Sequence, residues 1–153
     1  MSSQTNVYRI MTLISLTSLI LLYSVMILGV YLSSSHQGLS CPDWPLCPNG
    51  FNFPPPQYFF EHIHRLMALI TTISISVTAI YALKKVKSVR IPATLACVFI
   101  FIQIVMGFLV TYTRLEPLIT ASHLSMGILL FAMTLMTFLS SYKLMKKLAI
   151  KVF

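Results

Sequence analysis

A chain of 153 residues that is 57% hydrophobic and only 9% charged, with a mean hydropathy of +0.85, cannot cover a globular surface with polar groups. Soluble domains carry about 25% charged residues, so lipid must be the solvent here. The formal charge of +8 comes from basic residues at the ends of apolar runs, with no basic face interleaved with aromatics, and this argues against a nucleic-acid partner.

The first uncharged run follows Arg9 and predicts a helix over 9–32. It is long, and no small-residue cleavage site follows it, so it reads as a retained membrane helix and not a signal peptide. After a loop from Ser33 to Phe60 come three further runs, predicting helices over 60–83, 91–112 and 118–142. A crossing needs roughly 20 apolar residues, so each can span the bilayer once. The expectation is an all-α membrane protein, a single domain over 1–153 that folds as a four-helix antiparallel bundle. Lys84, Lys85, Lys87 and Arg90 fill the second loop, Lys143, Lys146, Lys147 and Lys151 the tail, and Arg9 precedes the first helix. By the positive-inside rule both termini and the second loop are cytoplasmic, in a multi-pass protein of the cell membrane. The first loop and the short loop near Arg114 then face outward.

That first loop carries "LSCPDWPLCPNG" at 39–50, with further prolines at 54–56. Proline limits the entropy lost on ordering, which favours one loop shape. Cys41 and Cys47, six residues apart on the oxidising face, suit a disulfide, either structural or redox-active. A zinc site would want four ligands, and there is no second Cys pair. Cys97, inside the third helix, reads as a small apolar residue.

Two helix pairs resemble one another: "ILGVYLSSS" (27–35) with "VMGFLVTYT" (105–113), and "HIHRLMAL" (62–69) with the segment around His123. Ionisable residues inside spanning helices are costly and point to function. His64 lies 20 residues before Lys84, and His123 lies 20 residues before Lys143. At 1.5 Å per residue both imidazoles sit about 30 Å from the inner anchors, at one height near the outer edge of the hydrocarbon. Two His at equal depth on neighbouring helices can clamp one metal. Ala68 and Gly127, each at i+4 from its His, leave room on that face for a flat macrocycle such as haem. The alternative is that each His only hydrogen-bonds within the bundle.

Glu61 shares the His64 face, where a carboxylate can act as a base, stabilise a developing cation, or simply complement the helix dipole. Arg65 can bind a haem propionate or anchor the helix end. His62 faces roughly the other way and reads as interfacial, and His36 sits in the loop. Arg114 and Glu116 could pair at the outer rim, while Gly29 and Gly107 are packing positions.

"GLSCPDWPLCPNG" (38–50), "EHIHRLMA" (61–68), "GFLVTYTRL" (107–115) and "HLSMG" (123–127), in that order along the chain, resemble haem A synthase, the cytochrome oxidase assembly family of the haem A pathway. The resemblance implies a membrane oxidoreductase that oxidises the C8 methyl of haem O to the formyl of haem A for terminal oxidase assembly. It implies His64 and His123 as axial ligands of the haem iron, Glu61 as the catalytic carboxylate, and Cys41 and Cys47 as the outer-loop pair. Most members have eight helices in two halves, one for the substrate haem and one for a haem b cofactor. This chain holds one such unit and looks like the substrate half, because it keeps the Cys loop and the Glu. A homo-oligomer whose protomers take both roles is then expected, with haem O delivered by haem O synthase and an electron acceptor still to be found.

Two other functions share parts of this pattern. A non-catalytic bis-His haem b subunit passing electrons in a respiratory complex would keep the His pair but give Glu61 no essential role. A quinone-linked disulfide oxidoreductase would need a second Cys pair, which Cys97 alone cannot supply.

Overall fold

The computed structural model describes residues 2–150. Helix α1 spans Ser2–Ser34, α2 Phe59–Lys85, α3 Arg90–Tyr112 and α4 Pro117–Ile150, with short 3-10 turns at Pro56–Tyr58 and Lys87–Val89. All four helices are long and apolar enough to cross a membrane, and no strand occurs among the described residues. Within lipid the backbone must satisfy its own hydrogen bonds, and an unbroken helix does so. The prolines respect this. Pro117 opens α4 and Pro92 lies in the first turn of α3, where a missing N–H costs nothing.

Helices α1 and α4 run beyond residues 9–32 and 118–142 at their Lys- and Arg-bearing ends. Arg9, Lys143, Lys146 and Lys147 end the apolar run without ending the helix, because Lys and Arg are good helix formers. A charge marks where water begins, whereas a helix stops only at a cap or breaker. Lys151 lies outside the described residues.

The principal contacts join α1 to α2, α2 to α3, α3 to α4 and α4 back to α1, closing a ring. Short connections make sequential helices antiparallel neighbours, so α2 and α4 sit on a diagonal. The interior is rich in small and hydroxyl side chains: Ser15, Ser18, Thr71, Thr78, Ala79, Ala82, Ala93, Ala96, Thr134, Thr137 and Ser141 are all buried, beside a few large ones such as Met11, Ile75 and Leu130. Large apolar side chains such as Ile20, Ile73, Val98, Phe101 and Ile128 point outward instead. This inversion follows from the solvent, since lipid rewards no apolar burial and close packing of small residues holds the helices together. Each buried hydroxyl named above bonds a carbonyl one turn back, as Thr78 does to Ser74 and Ser141 to Thr137. Ser18 Oγ also reaches Ser74 Oγ (2.8 Å) and Thr78 Oγ1 (3.0 Å) across the α1–α2 seam.

The two ends of the bundle differ. At the basic end Val86 and Val89 tuck beneath Met11, Ala79, Ala82 and Ala93. At the other end the long first loop folds over the helices. Trp44 meets Phe108 of α3 edge-on at 5.1 Å, and Phe53 meets Phe59 at 5.7 Å. A disulfide joins Cys41 and Cys47, and both are buried.

A candidate histidine site beneath the first loop

Helix α2 begins at Phe59 and α4 at Pro117, so His64 and His123 both fall in the second turn, close to the loop-covered end. Their helices are diagonal partners and not neighbours as equal depth had suggested, because the ring of contacts places α1 and α3 between them.

Each ring rests on the helix that precedes its own. A methyl group built on Gly29 of α1 would lie 3.1 Å from His64 Cε1, and one on Gly107 of α3 would lie 3.4 Å from His123 Cε1. The faint sequence repeat thus has a physical basis: in both helix pairs a glycine opens the space that its histidine fills. In neither ring does Nδ1 close a hydrogen bond, though both atoms are buried.

The carboxamide of Gln103 sits beside His123. Its Nε2 lies 3.3 Å from His123 Nε2 and 3.1 Å from the His123 carbonyl oxygen. It also fills the space above Gly127, where an added methyl would lie 3.3 Å from Gln103 Nε2. Gly127 therefore makes room for Gln103 and not, in this arrangement, directly for a macrocycle. Sequence reasoning passed over Gln103, although it is the sole carboxamide in the four apolar runs.

Glu61 is 4% exposed and fully engaged. Its Oε2 accepts from Ser40 Oγ and from the Cys41 amide, both at 2.8 Å, and its Oε1 pairs with Arg65 one turn on. Arg65 Nη1 in turn donates to the carbonyl oxygens of Asp43 and Pro45. One carboxylate and one guanidinium thus tie the cysteine loop to the start of α2, beside His64. The charges balance, which makes their burial tolerable.

His62 departs from the interfacial expectation. It is 2% exposed, enclosed by protein, and its Nδ1 has no partner. A two-residue step turns a helical side chain by about 200°, away from His64 but, in a four-helix ring, still toward protein. Arg114 and Glu116 do not pair. Glu116 Oε2 accepts from the Ile119 amide (2.8 Å) as a cap for α4, and Arg114 occupies a left-handed turn with φ 54°. Cys97 is a free thiol packed near Ser76. His36 is exposed in the turn after α1.

Apart from Arg90 Nε at the basic end, the buried polar side-chain atoms without partners among the described residues are Ser35 Oγ, Gln103 Oε1, Thr120 Oγ1 and Nδ1 of His62, His64 and His123. Native interiors leave few such groups, so a concentration of them marks a place built for something polar. No group of three or more His, Cys, Asp or Glu among the described residues forms a protein-only metal site. The donor set of two cradled imidazoles fits a metal whose remaining positions are filled by a planar ligand.

The profile of a family described as "Cytochrome oxidase assembly protein" matches residues 50–151, a stretch that includes Glu61, His64, Arg65 and His123. "Heme A synthase" of Lysinibacillus sphaericus (strain C3-41) is 31% identical over 117 residues, covering 72% of this chain and 38% of the relative. "Heme A synthase" of Bacillus pumilus (strain SAFR-032) is 27% identical over 131 residues, covering 81% and 42%. That of Geobacillus kaustophilus (strain HTA426) is 30% identical over 109 residues, covering 66% and 33%. The chain thus matches only about two fifths of the length of these relatives.

Proposed function

The chain belongs to the cytochrome oxidase assembly protein family, and from that premise we propose that it is a membrane oxidoreductase of haem A biosynthesis, converting haem O to haem A by oxidising the C8 methyl to a formyl. The observation that carries this reading is the matched pair of imidazoles, each set on a glycine of the preceding helix with its Nδ1 buried and unbonded. His64 and His123 hold the substrate haem by its iron. Packing against the glycine of the preceding helix limits how each ring can turn.

Glu61 serves as the catalytic carboxylate by stabilising positive charge that develops as the methyl group is oxidised. Ser40, the Cys41 amide and Arg65 fix where that carboxylate stands. Electrostatic stabilisation works through such fixed charges, because no reorganisation is needed when charge develops. Arg65 has five N–H donors, and those left free by Glu61 and the loop carbonyls are available to a haem propionate. The Cys41–Cys47 bridge shapes the loop segment that holds Glu61. A haem b cofactor is supplied by a second copy of this four-helix unit in a homo-oligomer, and electrons leave to a separate acceptor.

Glu61 is so fully engaged with the loop that the non-catalytic haem b reading keeps a specific claim, with Glu61 as a loop anchor only. The two readings part in one experiment. Protein purified after co-expression with a haem O source is analysed by pyridine haemochrome spectrum and by mass of the extracted pigment, for wild type, His64→Ala and Glu61→Gln. The expected result is formyl-bearing haem in wild type, loss of haem in His64→Ala, and retained but unconverted haem in Glu61→Gln. Haem b alone, unaffected by Glu61→Gln, would establish the electron-transfer reading instead.

A further inference from the structure

The two helix pairs repeat each other around their histidines, and one of the positions at which they differ bears directly on the ring. Four residues before the glycine, α1 carries Val25 and α3 carries Gln103. His64 therefore has no side-chain amide beside it, and His123 does. The orientation of that amide follows from its contacts. The Gln103 atom that lies 3.3 Å from His123 Nε2 also lies 3.1 Å from a carbonyl oxygen, which accepts only. That atom is then the amide nitrogen, a donor, and His123 Nε2 facing it must be the acceptor. In a neutral imidazole this places the proton on Nδ1, which is buried. The ring is thus held in the tautomer whose Nε2 lone pair can take a metal.

We propose that Gln103 is the positioning residue of the site: it sets the metal-competent tautomer of His123 and occupies Nε2 until the haem iron replaces it. This rests on the reading of His123 as an iron ligand. His64 has Val25 at the matching position, so His123 is the ligand at which an amide must be exchanged. Gly127 gives the carboxamide its place beside the ring, and the buried Oε1 of Gln103 has no partner to hold the side chain back.

The test begins with haem-free full-length protein in detergent micelles, with 15N-labelled histidine and His123 assigned by its loss in His123→Ala. Wild type should show an unprotonated Nε2 at His123. Gln103→Leu should release the ring to a mixture of tautomers and leave the His64 signals in place. Gln103→Glu is the decisive variant, because an acceptor-only side chain reverses the preference and puts the proton on Nε2. Haemin titration should then show roughly ten- to hundredfold weaker uptake in Gln103→Glu, the range for breaking a hydrogen bond to a charged group. A protonated Nε2 in wild type, or a His123 tautomer indifferent to all three side chains, overturns the proposal. Should Gln103→Leu fail to fold, Gln103→Met repeats the apolar test. Failure of wild type to take up haem, with the tautomer shifts as described, would overturn the haem reading and the placeholder role but leave the tautomer assignment standing.

Discussion

Gly29 offers the sharpest test of the site geometry, with Gly107 as its internal control. Replacing either glycine by alanine adds one methyl to a helix interior, which by itself favours the helix by about 0.5–1 kcal/mol. The two positions differ in what that methyl meets. At Gly29 it would stand 3.1 Å from His64 Cε1, a few tenths of an ångström inside ordinary contact. At Gly107 it would stand 3.4 Å from His123 Cε1, within ordinary contact. Overpacking of this kind costs about 1–3 kcal/mol when the neighbour is held in place. The His64 ring is enclosed, with its Nδ1 buried, and already rests on the α1 backbone at Gly29. Gly29→Ala should therefore turn the His64 ring and weaken haem binding by roughly five- to hundredfold, the same energy read as affinity. Gly107→Ala should change affinity by less than about threefold and gain the helix-propensity term in thermal stability. Haemin titration followed at the Soret band, with a melting curve of each haem-free variant in detergent, measures both quantities. Equal loss in both variants, or greater loss at Gly107, would refute the reasoning from the glycine cradle.

Glu61→Gln removes the charge that Arg65 neutralises, so the haem-free protein should lose about 1–3 kcal/mol of stability, seen as a lower melting temperature in detergent. Arg65→Ala should destabilise to a similar extent and loosen the loop, with Trp44 fluorescence shifting as its contact with Phe108 is lost. An unchanged emission spectrum in that variant would mean the loop is held by other contacts. Cys41 and Cys47 should resist alkylation without reductant, and Cys41→Ser paired with Cys47→Ser should cost about 2 kcal/mol for so short a closed loop, checked by mass spectrometry and melting. Ser18→Ala loses two interhelical hydroxyl contacts at about 0.6 kcal/mol each in lipid, so its melting curve should shift only slightly. A large drop there would show that the hydroxyl seam, and not small-residue packing, dominates the bundle.

Much of the architecture was legible before any coordinates, for a simple physical reason. Lipid forces every spanning segment to be an uncharged helix, so the four apolar runs had to appear as α1 to α4. Helix ends were less legible, because charge marks the edge of the lipid and not the end of hydrogen bonding, as the extension of α4 to Ile150 shows. Register alone also placed His64 and His123 at one height. Counting along separate helices carries no information about which helices touch, however, and only the closed ring of contacts put α2 and α4 on a diagonal.

The polar cluster divides the same way. A helix-phase reading assigns Glu61 to the face of His64 and sends His62 away from it. It cannot show that Glu61 reaches back to Ser40 and Cys41, or that the far side of His62 is protein and not headgroups. Those partners come from a loop more than one helix turn away in sequence, and no local periodicity encodes them. Gln103 is the extreme case. As a residue in an apolar run it announces only that something polar is needed, and its partner on α4 is fixed by how α3 and α4 pack. Sequence by itself determined the apolar helices and the like placement of the two histidines near the starts of α2 and α4. Tertiary structure decided what each polar side chain faces, because in a bundle that question belongs to the neighbouring helix.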